Sequence, residues 1–111
     1  MSSMFASTRF EYLDLSKFNT KNVEDMKSMF ESSKLSSIDL SSFKTDYVTD
    51  MSSMFESCTN LRSVTLSSFN TENVKDMKYM FAYCRLLSSL DLSSFNTEEV
   101  LDMENMFSDC S

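Results

Sequence analysis

Glycine and proline are both absent from the 111 residues of this chain, as are histidine and tryptophan. Turns that need positive φ normally recruit glycine, and sharp stops often use proline. Ser, Asn, Thr and Asp must therefore shape every corner, through side-chain hydrogen bonds to nearby backbone. Without glycine there is no phosphate-cradling loop and no nucleophile elbow, and without histidine the commonest general base is missing. The charged residues are either periodic or scattered, as Lys21, Glu24 and Lys27 are. No enzyme and no cofactor is expected. No run approaches the ~18 apolar residues of a membrane span, and no basic stretch leads into an apolar one as a signal peptide would. There is no Asn-x-Ser/Thr sequon. The net charge of −7 argues against nucleic acid and against anionic membranes, which select basic surfaces.

What the chain has is repetition. All ten methionines fall in one pentapeptide, M-x-x-M-F, beginning at Met1, Met26, Met51, Met77 and Met103. A fixed period of this size marks a repeat architecture, in which each unit buries its apolar face only against the next. The repeats run 1–25, 26–50, 51–76 and 77–102, with a partial fifth at 103–111, and form a single unit over 1–111. Recurring positions make apolar columns: Leu13, Ile38, Val64 and Leu90; Leu15, Leu40, Leu66 and Leu92; Phe18, Phe43, Phe69 and Phe95; Val23, Val48, Val74 and Val100. The chain starts and stops inside a repeat without a polar capping unit, so it reads as an excised piece of a longer array.

Two periodicities predict the local structure. Leu90, Asp91 and Leu92 alternate apolar and polar, as a short strand with one buried face does. Val74, Met77, Met80 and Phe81 follow i, i+3, i+6 and i+7, a helical stripe. Asp25, Asp50, Asp76 and Asp102 stand immediately before that stripe as N-caps; Thr20, Thr45, Thr71 and Thr97 are the rival caps, one turn earlier. The expected fold is an α/β repeat solenoid, leucine-rich-repeat-like, with a parallel sheet of about four short strands on one face and short helical M-x-x-M-F turns on the other.

The segment L-S-S-L-D-L-S-S-F-N-T-E-E-V-L-D-M-E-N-M-F-S-D-C at Leu87 to Cys110 resembles the unit of the BspA-like leucine-rich repeat surface proteins. Phe18, Phe43, Phe69 and Phe95 stand where most leucine-rich repeats carry Asn or Cys. The resemblance implies a parallel-stranded solenoid and an extracellular, cell-surface protein that adheres to host or matrix proteins and to other cells. The first repeat departs from it, with Arg9-Phe10-Glu11-Tyr12 in place of the usual Leu-Ser-Ser.

Alternation along the strands makes Tyr12, Asp14, Ser16, Ser37, Asp39, Ser41, Ser63, Thr65, Ser67, Ser89, Asp91 and Ser93 the exposed face. That face is the expected binding surface, and Tyr12 is its one residue of the type that dominates protein hot spots. Asp14 and Asp39 would lie side by side, which is unfavourable unless neutralised; whether a cation does so stays open, with no D-x-D-x-D-G loop to hold calcium. Cys58, Cys84 and Cys110 share one column, which aligns their side chains in parallel and favours buried free thiols over a disulfide. No metal site is expected. The expected function is therefore a non-catalytic interaction or adhesion module of a cell-surface protein. The alternative is a structural protein whose uncapped ends stack head-to-tail on further copies. The partner is a protein or the chain itself, with neither nucleic acid nor membrane insertion.

Overall fold

The computed structural model describes residues 1–110, and the M-x-x-M-F segments organise it. In the second repeat the N–H groups of Met29, Glu31 and Ser33 donate back three residues, to the carbonyls of Met26, Ser28 and Phe30. The intervening N–H groups of Met26, Ser28, Phe30 and Ser32 leave the segment and donate to Asp50, Ser52, Met54 and Glu56 of the next repeat. The same alternation recurs from Met51 and from Met77.

This pairing overturns the expected helical turn. A helix returns each N–H to the carbonyl four residues back, whereas here half the donors close tight turns and half cross to the neighbouring repeat. Among the described residues there is no helix. The backbone also turns left-handed at the third and seventh position of every segment, as at Ser28 (φ 54°) and Ser32 (φ 58°), which a right-handed helix excludes. The third position of a turn closed in this way is where a type II turn takes glycine or asparagine. Here it holds Ser, Tyr, Asn or Asp in every repeat. Each such residue costs ~1–3 kcal/mol and persists only where the surroundings over-determine it. Two consecutive turns nevertheless put Met26, Met29 and Phe30 on the same fully buried side, which is why the stripe imitates a helix.

The expected sheet of about four strands is also corrected. Two strands of three residues form among the described residues, β1 (Ser37–Asp39) and β2 (Ser63–Thr65), paired in parallel with Ile38 opposite Val64. The first repeat reaches only the residues before β1, through main-chain bonds from Lys34 and Ser36 N–H to Thr8 and Glu11 C=O. Side chains take over the rest of this wall: Ser42, Ser68 and Ser94 hydroxyls donate to the carbonyls of Leu15, Leu40 and Leu66, so pairing there does not extend into longer strands. A second line of parallel bridges joins Asp25, Asp50, Asp76 and Asp102. With no helix and only β1 and β2 among the described residues, and extents of 31 × 30 × 23 Å, the molecule is a squat block and not the expected α/β solenoid.

Asx turns supply the corners that lack glycine and proline. Asp39 Oδ1 accepts from Ser41 N–H at 2.9 Å, Asn70 Oδ1 from Glu72 N–H at 3.1 Å, and Asp76 Oδ1 from Lys78 N–H at 3.0 Å. Asp25, Asp50 and Asp102 do the same, so the carboxylates expected to cap helices start the double turn instead. The threonines are not caps either. Thr45 Oγ1 accepts from Asn70 N–H and donates to Asn70 C=O, both at 2.8 Å, and Thr20 and Thr71 repeat this against Lys44 and Asn96. Both roles of the hydroxyl are used, which is how it sits only 1% exposed in the interior.

Between these walls lies one core. Phe5, Phe30, Phe55, Phe81 and Phe107 form a continuous stack with centroids 5.2 to 5.8 Å apart and planes within 11° of parallel. Each such pair adds ~0.5–1.5 kcal/mol beyond the area it buries. Leu35, Leu40, Phe43, Val48 and Leu61 complete the filling at 0% exposure.

Ser32 is exposed and left-handed, so Ser32→Gly should leave stability to urea unchanged or raised, and Ser32→Val should lower it by ~1–3 kcal/mol. A helical turn would reverse the glycine result, to a loss of ~1 kcal/mol or less.

Candidate functional site

All twelve side chains of the expected binding face are exposed: Tyr12, Asp14, Ser16, Ser37, Asp39, Ser41, Ser63, Thr65, Ser67, Ser89, Asp91 and Ser93. Only Ser37 and Asp39 on β1 and Ser63 and Thr65 on β2 stand on strands. The rest lie on extended chain or at corners.

The three aspartates of this face are engaged with their own backbone. Asp14, Asp39 and Asp91 accept from the N–H of Ser16, Ser41 and Ser93 at 3.0, 2.9 and 2.9 Å. Hydrogen bonds from these serines, side-chain first for Asp14 and Asp91 and backbone first for Asp39, hold all three carboxyls below their ordinary pKa. The column is thus a set of corner braces, and Thr65 stands in the third repeat where the brace would be. Asp14 and Asp39 do line a common shallow groove, with Leu13, Leu15, Ser41 and Ser42. No group of three or more acidic or cysteine side chains suited to a metal ion occurs among the described residues.

A second hollow opens beside Tyr12, lined also by Glu11, Lys34, Ser36, Asn60, Arg62 and Leu86. Tyr12 is 70% exposed and Leu86 42%; Phe10, two residues earlier in the sequence than Tyr12, is 69% exposed. Apart from Tyr12 this corner consists of two columns, Lys34, Asn60 and Leu86 and then Glu11, Ser36 and Arg62, that lie outside the apolar and strand-face columns. Arg62 was legible as a break in pattern, since it takes the place of Ser36 and Ser88 in L-S-S. Leu86, next to the core residue Leu87, could not be separated from the core by periodicity. On another corner Glu72, Asn73, Lys75, Asn96, Glu98 and Glu99 surround an open, mostly acidic shelf.

The cysteines make a ladder of their own. Cys58, Cys84 and Cys110 are free thiols, and each donates to the phenylalanine carbonyl of the preceding repeat: Phe30 at 3.1 Å, Phe55 at 3.1 Å and Phe81 at 2.9 Å. Burial pushes all three thiols up, Cys84 to about 12. Cys58 and Cys84 are fully buried, and Cys110 lies half-buried at the last turn.

Two outcomes follow. The depressed carboxyls contribute stability that is complete above their unfolded pKa, near 4, and is lost as pH falls through the lower folded values; urea denaturation from pH 6 to pH 2 should show a steep loss at the acid end, shallower in the triple variant Asp14→Asn, Asp39→Asn, Asp91→Asn. A thiol reagent at pH 8 should label Cys110 first, with Cys58 and Cys84 reacting only on unfolding.

A search of curated proteins and of solved structures finds no match to the chain. A protein-family model matches residues 1–111. Over its whole length, the chain belongs to the family described as "Mycoplasma protein of unknown function, DUF285".

Proposed function

We propose that this chain is a non-catalytic recognition module that works at a cell surface, binding a protein partner through the wall that carries the Ser/Asp/Thr face. The observation that carries this reading is the corner at Tyr12. Tyr12 stands 70% exposed beside Lys34, Arg62 and Leu86, apart from the phenylalanine columns that packing buries in the inner repeats. Exposed Tyr and Arg are the residues that dominate protein hot spots. The flanking serines and Asp14, Asp39 and Asp91 supply a polar rim, as protein interfaces have, with the carboxylates already braced by backbone N–H groups. The extracellular, adhesive setting rests on the resemblance of the repeat to the BspA-like surface proteins.

The test is adhesion of the 111-residue chain to immobilised matrix proteins and to host cells, wild type against the double variant Tyr12→Ala, Arg62→Ala. A hot spot contributes ~2 kcal/mol or more, so binding should weaken by at least about tenfold with thermal unfolding nearly unchanged. Undiminished binding of the double variant would remove this corner from the interface.

A further inference from the structure

Charge is not spread evenly over the walls of this molecule. The connectors between the turn wall and the strand wall, residues 8–12, 33–37, 58–63 and 84–89, hold all three arginines and Lys34 but a single acid, Glu11, in a chain of net charge −7. Arg9, Lys34, Arg62 and Arg85 are all exposed. Lys34 and Arg62 line one hollow together with Glu11 and Asn60. Neither cation forms an ion pair among the described residues, with Glu11 or any other acid. Tyr12 stands in the outward column of Ser37, Ser63 and Ser89, which is exposed in every repeat. The four prominent lining groups come one from each repeat, in the order Tyr12, Lys34, Arg62, Leu86. They also alternate in column: Lys34 and Leu86 lie on one side, and Tyr12 and Arg62 on the other, two or three positions further along their repeats. Two cations thus lie between two apolar groups, staggered about a path that runs down the stack.

We infer that this hollow takes a short, extended, acidic segment of a protein partner, in which two successive carboxylates stand between apolar side chains. Successive side chains of an extended chain point to alternate sides, as the four lining groups do. Layers spaced by about 4.8 Å put Tyr12 and Leu86 about 14 Å apart, the length of about four extended residues. The Arg62 guanidinium is a planar fork suited to a carboxylate, and the Lys34 ammonium pairs with the second as a point charge. Asn60, between them, offers its amide to the main chain of the segment. Glu11 beside Tyr12 repels an acid at that end, so the residue against Tyr12 is apolar. Nucleic acid and an anionic membrane would spread their charge beyond the hollow, onto walls that are acidic. The acidic segment rests on the recognition role proposed for the Tyr12 corner and adds to it the chemistry of the partner.

The probe is the end-blocked peptide Ser-Leu-Glu-Glu-Leu-Ser, titrated into the 111-residue chain and followed by NMR shifts of its backbone amides, beside versions with Gln-Gln or Lys-Lys at the centre. The Glu-Glu peptide should shift Tyr12, Lys34, Asn60 and Arg62 and release at high salt, where exposed charges are screened. The Gln-Gln peptide should bind at least about fivefold more weakly, as loss of two exposed ion pairs implies. The double variant Lys34→Glu, Arg62→Glu should reverse the preference and select Lys-Lys; both side chains are exposed, and unfolding curves check that it folds. Equal binding of Glu-Glu and Gln-Gln, no binding of Glu-Glu, or an unreversed preference overturns the acidic segment. So does capture by phosphatidylserine vesicles that the double variant loses, which assigns the corner to a lipid surface. Association of the chain with itself that Glu98→Gln, Glu99→Gln abolishes would assign it to the acidic shelf of a second copy, and overturns it as well. Adhesion that needs Tyr12 and Arg62 while no acidic peptide binds leaves the recognition role standing and removes only the acidic segment. Acidic-peptide binding with adhesion indifferent to Tyr12→Ala, Arg62→Ala upholds the segment and removes the surface role.

Discussion

Everything in this molecule depends on one division of labour among backbone N–H groups in the M-x-x-M-F turn. Alternate donors close the turn, and those between them cross to the next repeat. Each turn is therefore incomplete without its neighbour, and the crossing bonds fix the registers of all the side-chain ladders. The phenylalanine stack, the threonine ladder and the thiol ladder each advance by one repeat because the turns do. Such a structure is stabilised by contacts between nearest-neighbour repeats, as repeat proteins generally are.

The alternation carries a conformational cost. For successive N–H groups to face in different directions the chain must turn left-handed twice in every segment, and it does so at Ser, Tyr, Asn and Asp without a single glycine. The crossing hydrogen bonds and the burial of the Met and Phe columns in the inner repeats offset the strain. Glycine would ease φ, but would also enlarge the unfolded ensemble. The corners follow the same economy. Asx turns at Asp39, Asn70 and Asp76 fix the bends with side-chain acceptors that remain on the surface. The aspartates that look like a binding column are thus first of all part of the scaffold, and the proposed recognition role rests on Tyr12 and Arg62 instead.

Much of this was legible in the sequence, and the rest was hidden for identifiable reasons. The apolar columns predicted burial correctly at Ile38, Leu40, Phe43 and Val74 in the inner repeats, while members in the outer repeats such as Leu13, Phe18, Phe95 and Val100 are only partly buried. The need for Ser, Asn, Thr and Asp to make the corners followed from the missing glycine and proline, but not that Tyr79 and Tyr83 take the two left-handed positions of the fourth turn. The helix was misread because Met26, Met29 and Phe30 share a face in a double turn as they would in a helix; burial spacing does not report where the N–H groups go. About four strands were expected and two formed among the described residues, since Leu-Ser-Ser alternation does not reveal that Ser68 and Ser94 hydroxyls take the carbonyls of Leu40 and Leu66. All twelve face residues are exposed as alternation required, but the hollow beside Tyr12 is lined by two further columns, Lys34, Asn60 and Leu86 and then Glu11, Ser36 and Arg62, whose members differ too much in chemistry to stand out as columns.

The most direct test of the central claim is to detect the hydrogen bonds themselves, by NMR scalar coupling between the amide nitrogen of Phe30 and the carbonyl carbon across the bond. The account predicts coupling to Met54, and from Phe55 to Met80, in the neighbouring repeats. Coupling of Phe30 to Met26 within its own segment would mean a helical turn and would contradict it.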